Sequence, residues 1–230
     1  MDTAARRQFL QQAGSGLFLL GLGARPALAL SESDAAVGIR TALEQGAVAA
    51  VSLLGRNDGF LANPRVRIEL PGYLKDAAKL LKATGQGRRV DELITAMNRA
   101  AEAAVPEARA LLVNAVKSMS VEDGLQILRG GDDAATRFFE SKTRTPLSAK
   151  FLPIVSRATE RVALADKYNA VAGKAAGLGL VRGEDANIQQ YVTGRALDGL
   201  YLVIGEEEKK IRQDPVASGS AILKKVFGGR

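Results

Sequence analysis

The chain has 230 residues, a formal net charge of +7, and neither cysteine nor histidine. Those two absences exclude disulfides, Ser-His-Asp and Cys-His nucleophile systems, Cys/His zinc sites, haem ligation through His or Cys, cysteine-ligated iron–sulfur clusters and Glu-x-x-His di-iron sites. Carboxylate, lysine, tyrosine or serine chemistry and oxygen-ligated magnesium or calcium survive, and the positive charge favours anionic partners.

The first 29 residues read as a cleavable export signal. Arg6 and Arg7 supply the positive start, Leu17 to Leu22 a short apolar centre, and Ala27 and Ala29 the small-residue spacing of a cleavage site. The centre falls short of the roughly 20 apolar residues that span a bilayer. Arg6, Arg7, Phe9 and Leu10 match the twin-arginine consensus, which predicts export of an already folded protein to the periplasm. An ordinary secretory signal and an uncleaved anchor are the other readings. Cleavage after Ala29 leaves one domain over 30–230, with no further segment long and apolar enough to cross a membrane, and with about +5 of charge once Arg6, Arg7, Arg25 and Asp2 are removed.

Helical patterns fill that domain. Ser31 with Asp34 opens the first, and Val37, Ala42, Leu43, Ala47, Val51 and Leu54 keep helical spacing to Gly55. Residues 56–72 are irregular, with an Asn57-Asp58-Gly59 turn, an Asn63-Pro64 break and an alternating stretch, 66–70, that can be extended. Pro71 suits the first turn of a helix reaching Thr84. From Arg88 to Ala104, Val90, Leu93, Ile94, Met97, Ala101 and Ala104 make an apolar face, with Asp91, Thr95, Asn98 and Glu102 on the opposite side. Pro106 kinks this helix or starts the next. Ser120 and Asp123 form a second Ser-x-x-acid start, Gly130-Gly131 a stop, and Asp132 a cap for the helix holding Phe138 and Phe139. Thr145-Pro146 begins another helix, 173–183 reads as loop, a long helix covers about Ala186 to Arg212, and a short one follows Asp214-Pro215. The fold class is all-α, a single-domain helix bundle with at most a short extended segment near 66–70.

Chemistry-bearing candidates are few. Asp198 lies in an apolar stretch, 196–205, as a site acid or metal ligand, or else as a structural partner of Arg195. The run Glu206-Glu207-Glu208-Lys209-Lys210 has acid-first i,i+4 spacing, Glu206 with Lys210 and Glu208 with Arg212, and reads as a solvated ion-paired face rather than a metal site. Gly130-Gly131-Asp132-Asp133 has the letters of a cyclic-dinucleotide synthase signature but joins two helices, where a stop and a cap explain every residue. Lys75, Lys79 and Lys82 form a stripe with Arg88 and Arg89 beyond it, able to meet anionic lipid or polymer. No aromatics interleave with it, so nucleic acid is not expected. Asp58, Phe60 and Asn63 mark the long loop, either as a site or as its own anchor.

Several stretches together resemble one family. Asp58 to Pro64 (Asp-Gly-Phe-Leu-Ala-Asn-Pro), Met97 to Pro106, Gly130 to Thr136, Ala196 to Leu200, Glu206 to Arg212 and Leu223 to Gly228 are similar to a bacterial exported family known as domain of unknown function 4197. The resemblance covers Ser31 to Gly228 and implies a helical domain behind a signal peptide. It carries no activity and therefore no catalytic residue. The chain departs from the family's usual secretory or lipoprotein signals in having twin arginines and no lipobox cysteine, so no lipid anchor is expected.

These readings predict an exported helical protein that binds an apolar or anionic ligand, a lipid, or a cell-envelope partner, without a cofactor. The alternative is a carboxylate enzyme, with or without magnesium or calcium, built from Asp198, Asp132, Asp133 and Asp58. The enzyme requires those carboxylates to converge in a cleft; the binder requires an apolar groove.

Overall fold

Alanine and leucine at helical spacing make the first element a core helix. The computed structural model describes residues 32–160, 162–177, 179, 185 and 187–214. The export signal, the Ser31 cap and the short helix after Asp214-Pro215 lie outside the described residues. Helix α1, Glu32–Leu54, buries Ile39, Ala42, Leu43, Ala47, Ala50, Val51 and Leu54. Its segment Ala36–Leu54 has a mean hydropathy of 1.2, long and apolar enough by composition to cross a membrane, contrary to the expectation from sequence. Half of that segment is buried inside the bundle, and a core helix flanked on several sides has this composition.

The loop from 55 leads through a single 3-10 turn, Gly72–Leu74, into α2, Lys75–Ala83, and then α3, Gly87–Ala104. Glycine ends α2 because Gly85 sits at φ +80°, where a side chain would be strained. Pro106 lies in a 3-10 turn, Val105–Glu107, that joins α3 to α4, Ala108–Lys117. It re-aims the chain without a kinked long helix, because its missing N–H falls where a first turn leaves donors free. Helix α5, Val121–Arg129, starts with the capping box read from sequence: Asp123 N–H donates to Ser120 Oγ at 3.0 Å, and Ser120 N–H to Asp123 Oδ2 at 2.9 Å.

Helix α6, Ala134–Thr159, corrects the expected break at Thr145-Pro146: it passes straight through Pro146 and Pro153. The two prolines are seven residues apart and both exposed, so they share the solvent face. The carbonyls they deprive of a donor belong to Lys142 and Ala149, also exposed, where water can replace the bond. The opposite face buries Phe139, Thr143, Leu147, Phe151 and Val155 at four-residue steps, which holds the helix together. Helix α7, Ala163–Gly177, extends into the stretch read as loop from 173: Gly173 and Gly177 are accommodated in its exposed half-turns. Helix α8, Ile188–Gln213, starts on Asn187, whose Oδ1 accepts from Gln189 and Gln190 N–H.

Helices α6 and α8 pair most extensively. They run antiparallel: Thr136 meets Glu208, Thr143 meets Tyr201, and Arg144 meets Asp198. Around that pair, α3 packs on α6 and α8, α1 packs on α4, α5 and α8, and α2 and α7 lie on the outer side of α3. One continuous core joins all of them. No strand occurs among the described residues; 67–70 runs without regular structure.

Candidate functional site

Three side chains of α3 hold the long loop, and two of them correct the sequence reading. Asn98 and Glu102, placed there on the polar side of the helix, are 0% and 5% exposed. Asn98 acts as a substitute strand: its Oδ1 accepts from Ile68 N–H at 2.8 Å, and its Nδ2 donates to the Ile68 carbonyl at 2.9 Å and the Ile94 carbonyl at 2.8 Å. Glu102 Oε1 accepts from the N–H groups of Phe60 and Leu61, each at 3.0 Å, while Arg99 donates to Glu102 Oε2 at 2.6 Å and to Asp58 Oδ1 at 2.8 Å. A carboxylate with two backbone donors and a guanidinium is fully satisfied, which is what permits its burial.

The turn conformation completes this lock. Asp58 sits at φ +64°, tolerated by a short polar residue. A Cβ on Gly59 would lie 2.4 Å from the Leu54 carbonyl oxygen. Phe60 is fully buried and rests on Gly199 of α8, where a Cβ would come within 2.8 Å of its ring. Asn63 stays local, its Oδ1 accepting from Arg65 N–H at 3.2 Å and its carbonyl from Val66 and Arg67 N–H.

The second polar knot caps α6. Neither Asp132 nor Asp133 does so: Asp132 is exposed in a turn, and Asp133 makes no side-chain cap bond, pairing instead with Arg137 at 2.7 Å. The cap comes from Glu208 of α8, whose carboxylate accepts from the N–H groups of Ala135 and Thr136 and from the Thr136 hydroxyl, all at 3.0 Å. Arg212 pairs with Glu208 at 2.8 Å and also donates to the Ile127 carbonyl at the end of α5. So the acidic run is only partly the solvated face expected. Glu208 is buried, and Glu206 pairs with Arg65 rather than Lys210, which bonds Glu207. An anionic group on a helix N-terminus also meets the positive end of the macrodipole.

The two knots tie together segments far apart in sequence: 58–64 to 97–106 and 196–200, and 130–136 to 206–212. A family model matches residues 29–228, nearly the whole chain. The chain belongs to that family, described as protein of unknown function (DUF4197). No curated protein and no solved structure matches.

In this DUF4197 domain three of the acidic candidates lie apart, each paired with arginine, and the fourth, Asp132, is exposed in the turn beside Asp133. Asp58 is with Arg99 on the α3 side of the loop, Asp133 with Arg137 at the start of α6, and Asp198 with Arg144 at 2.7 Å and Arg195 at 3.7 Å. Asp198 is 47% exposed, turned outward from the apolar segment that carries it. Its surroundings are a cavity of about 340 Å³ formed with Arg65, Arg67, Glu69, Tyr191 and Arg195, in which three arginines face two carboxylates. No group of three or more acidic side chains able to hold a metal occurs among the described residues.

The basic candidates divide. Lys79 pairs with Asp76 at 3.2 Å and Lys82 with Asp91 at 3.1 Å, and Lys75 and Arg88 point to solvent. Arg89 differs: it stands at the rim of an apolar groove between α2, α3 and α7, of about 160 Å³. Leu70, Leu74, Leu81, Val90, Leu93 and Leu164 wall that groove, and Lys167 shares the rim. Arg89 contacts only the Gln86 amide, at 3.3 Å, and neither rim cation has a carboxylate partner among the described residues. At one end the hydroxyls of Tyr73 and Tyr168 both donate to the Asp185 carbonyl at 3.0 Å. Burial, reinforced by the Tyr73 contact, pushes the Tyr168 hydroxyl well above its ordinary range, so it stays protonated.

Proposed function

We propose that this domain is an exported, non-enzymatic binder of a small amphipathic anion, an alkyl chain ending in a carboxylate or phosphate. The α2–α3–α7 groove carries the proposal, because it combines leucine walls with two rim cations that no carboxylate neutralises among the described residues. Its volume of about 160 Å³ is below the roughly 300–1,000 Å³ of sites that engulf a whole ligand. It suits an inserted chain segment, the head remaining at the rim with Arg89 and Lys167. Burying each methylene there is worth about 0.8 kcal/mol, so a short chain is held reversibly. The twin-arginine motif and the Ala27-x-Ala29 spacing support a periplasmic setting, where such amphiphiles come from the envelope.

The test is a titration of the mature protein, residues 30–230, with decanoate and with decanol, followed through backbone amide shifts. Decanoate is expected to move Leu74, Leu81 and Leu164 saturably, and decanol to bind at least tenfold more weakly. Equal binding of acid and alcohol removes the anionic half of the proposal, and groove amides that neither compound moves remove all of it.

A further inference from the structure

We infer that α2 is a lid on the α2–α3–α7 groove, undocking from α3 to admit a chain that the closed groove is too small to hold. The inference rests on that groove being the site of the amphipathic anion. It starts from a gap in the core. Pro71 and Val90 are buried, and between them, from Gly72 to Arg89, no described residue is. Every other α-helix buries residues of its own. Leu74, Ala78 and Leu81 still form one wall of the groove, and they are half-buried because the groove, rather than packed core, lies in front of them. Among the helices, α2 packs chiefly on α3. Undocking it exposes little further apolar surface, and that surface sets most of the free energy of a local opening.

Polar ties are equally few. Lys82 pairs with Asp91 at 3.1 Å, but both side chains are exposed, and surface pairs of this kind add little. Lys79 pairs with Asp76 inside α2 itself. Tyr73, in the turn before α2, donates to the Asp185 carbonyl from an exposed position where water can replace it. A Cβ on Gly72 or on Gly85 would meet nothing within 4 Å, so the segment has room to move at either end. The 55–70 loop differs on every count. It has less regular structure than α2, yet Asn98 and Glu102 hold its backbone and Phe60, Val66 and Ile68 are buried.

Binding makes use of the weak wall. The groove holds about 160 Å³, about half the roughly 300 Å³ at which small-molecule sites begin. Its other helical walls are anchored, α3 through buried Val90 and Leu93 and α7 through buried Tyr168, so widening falls to α2. A helix of nine residues does not persist alone in water. Each undocking therefore frees the α2 amides to exchange with solvent, with or without a ligand.

The experiment exploits the absence of cysteine. A Cβ on Gly87 would lie 3.8 Å from the Lys82 Cβ, the usual separation across a disulfide. The mature protein carrying Lys82→Cys and Gly87→Cys can thus be closed by oxidation and released by reduction. Both redox forms lack the Lys82–Asp91 pair, so their difference isolates the bond. Hydrogen exchange is followed in the parent and in each form, and each form is then titrated with decanoate. In the parent, the Leu80 and Leu81 amides are expected to exchange at least about a hundredfold faster than those of Ala100 and Ala101 in α3. Oxidation is expected to slow Leu80 and Leu81 by about tenfold or more against the reduced form, to leave Ala100 and Ala101 unchanged, and to weaken decanoate by about tenfold or more. Parent α2 amides as slow as those of Ala100 and Ala101 overturn the inference without any variant. So does a disulfide that leaves α2 exchange unchanged, or an oxidised form that binds decanoate as tightly as the reduced one; in those cases decanoate shifts in the groove still uphold the ligand class. Decanoate that moves no groove amide in either form, beside fast α2 exchange, is instead the failure of the ligand reading, and the lid falls with it.

Discussion

The two ends of α3 differ in how completely their polar groups are used. At its C-terminal end, Asn98, Arg99 and Glu102 spend almost every donor and acceptor on the 55–70 loop, and Glu208 does the same across α6 and α8. At its N-terminal end Arg89 faces a groove with only an amide for company, α2 carries Lys75 to solvent, and Leu80 is 66% exposed. The saturated end is a scaffold; the unsaturated end has interactions to offer. Residues that look chemical in the sequence therefore fall mostly on the wrong side of this division: Asp58 and the acidic run serve the scaffold.

The strongest way to break the comparison is to remove a scaffold group. Glu208→Ala strips α6 of its cap and leaves Arg212 without its buried carboxylate, a residue pair whose side chains are only 5% and 12% exposed. Breaking a buried pair on one side costs about 3–5 kcal/mol, and urea unfolding should read a loss of that order. A loss under 1 kcal/mol would mean that the cap is incidental. Gly59→Ala follows. Its new methyl meets the backbone carbonyl of Leu54, which cannot rotate away, so about 1–3 kcal/mol is expected from overpacking.

Asn98→Leu is next. It keeps the side-chain size but leaves the Ile68 N–H and carbonyl without partners, at about 1–3 kcal/mol per stranded group before water rescues them. Hydrogen exchange should speed up at Ile68 and leave the α5 amides protected; uniform exchange would show that the loop is not held locally. The opposite end supplies the contrast. Lys75→Gln and Arg88→Gln remove solvent-exposed charges without ion partners among the described residues and should stay within about 0.5 kcal/mol of the parent.

How much of this was legible depended on whether the deciding partner was near in sequence. The all-α class and the α5 capping box came from local periodicity and spacing, and the family from several short stretches that resemble it. The continuity of α6 did not, because Pro146 and Pro153 are tolerated only where the opposite face is fully buried and their orphaned carbonyls reach water, and both facts are tertiary. Asn98 and Glu102 read as solvent-facing because an amide and a carboxylate usually are. Their signal lay in the alanines around them, Ala100, Ala101 and Ala104, which mark a helix buried on more than one side. Glu208 was hidden in a charge run whose spacing explained itself without it.

The smallest expected effect tests whether a scaffold group behaves as local chemistry says. Asp123 in the α5 capping box has its pKa lowered below the ordinary 3.8, first by the Ser120 hydroxyl and then by the Ser120 backbone N–H. A carboxyl depressed on folding binds its proton more readily in the unfolded chain, so it stabilises above the unfolded value, and that contribution is lost as pH falls through the folded one. The carboxylate lies near the surface, so the effect on stability is slight. The direct measurement is a carboxyl-carbon titration of Asp123 in the parent and in Ser120→Ala, where the depressed value should return toward 3.8. A midpoint unchanged by Ser120→Ala would take the hydroxyl out of the lowering and leave it to the backbone N–H of residue 120, which alanine keeps, and to the field of Lys142.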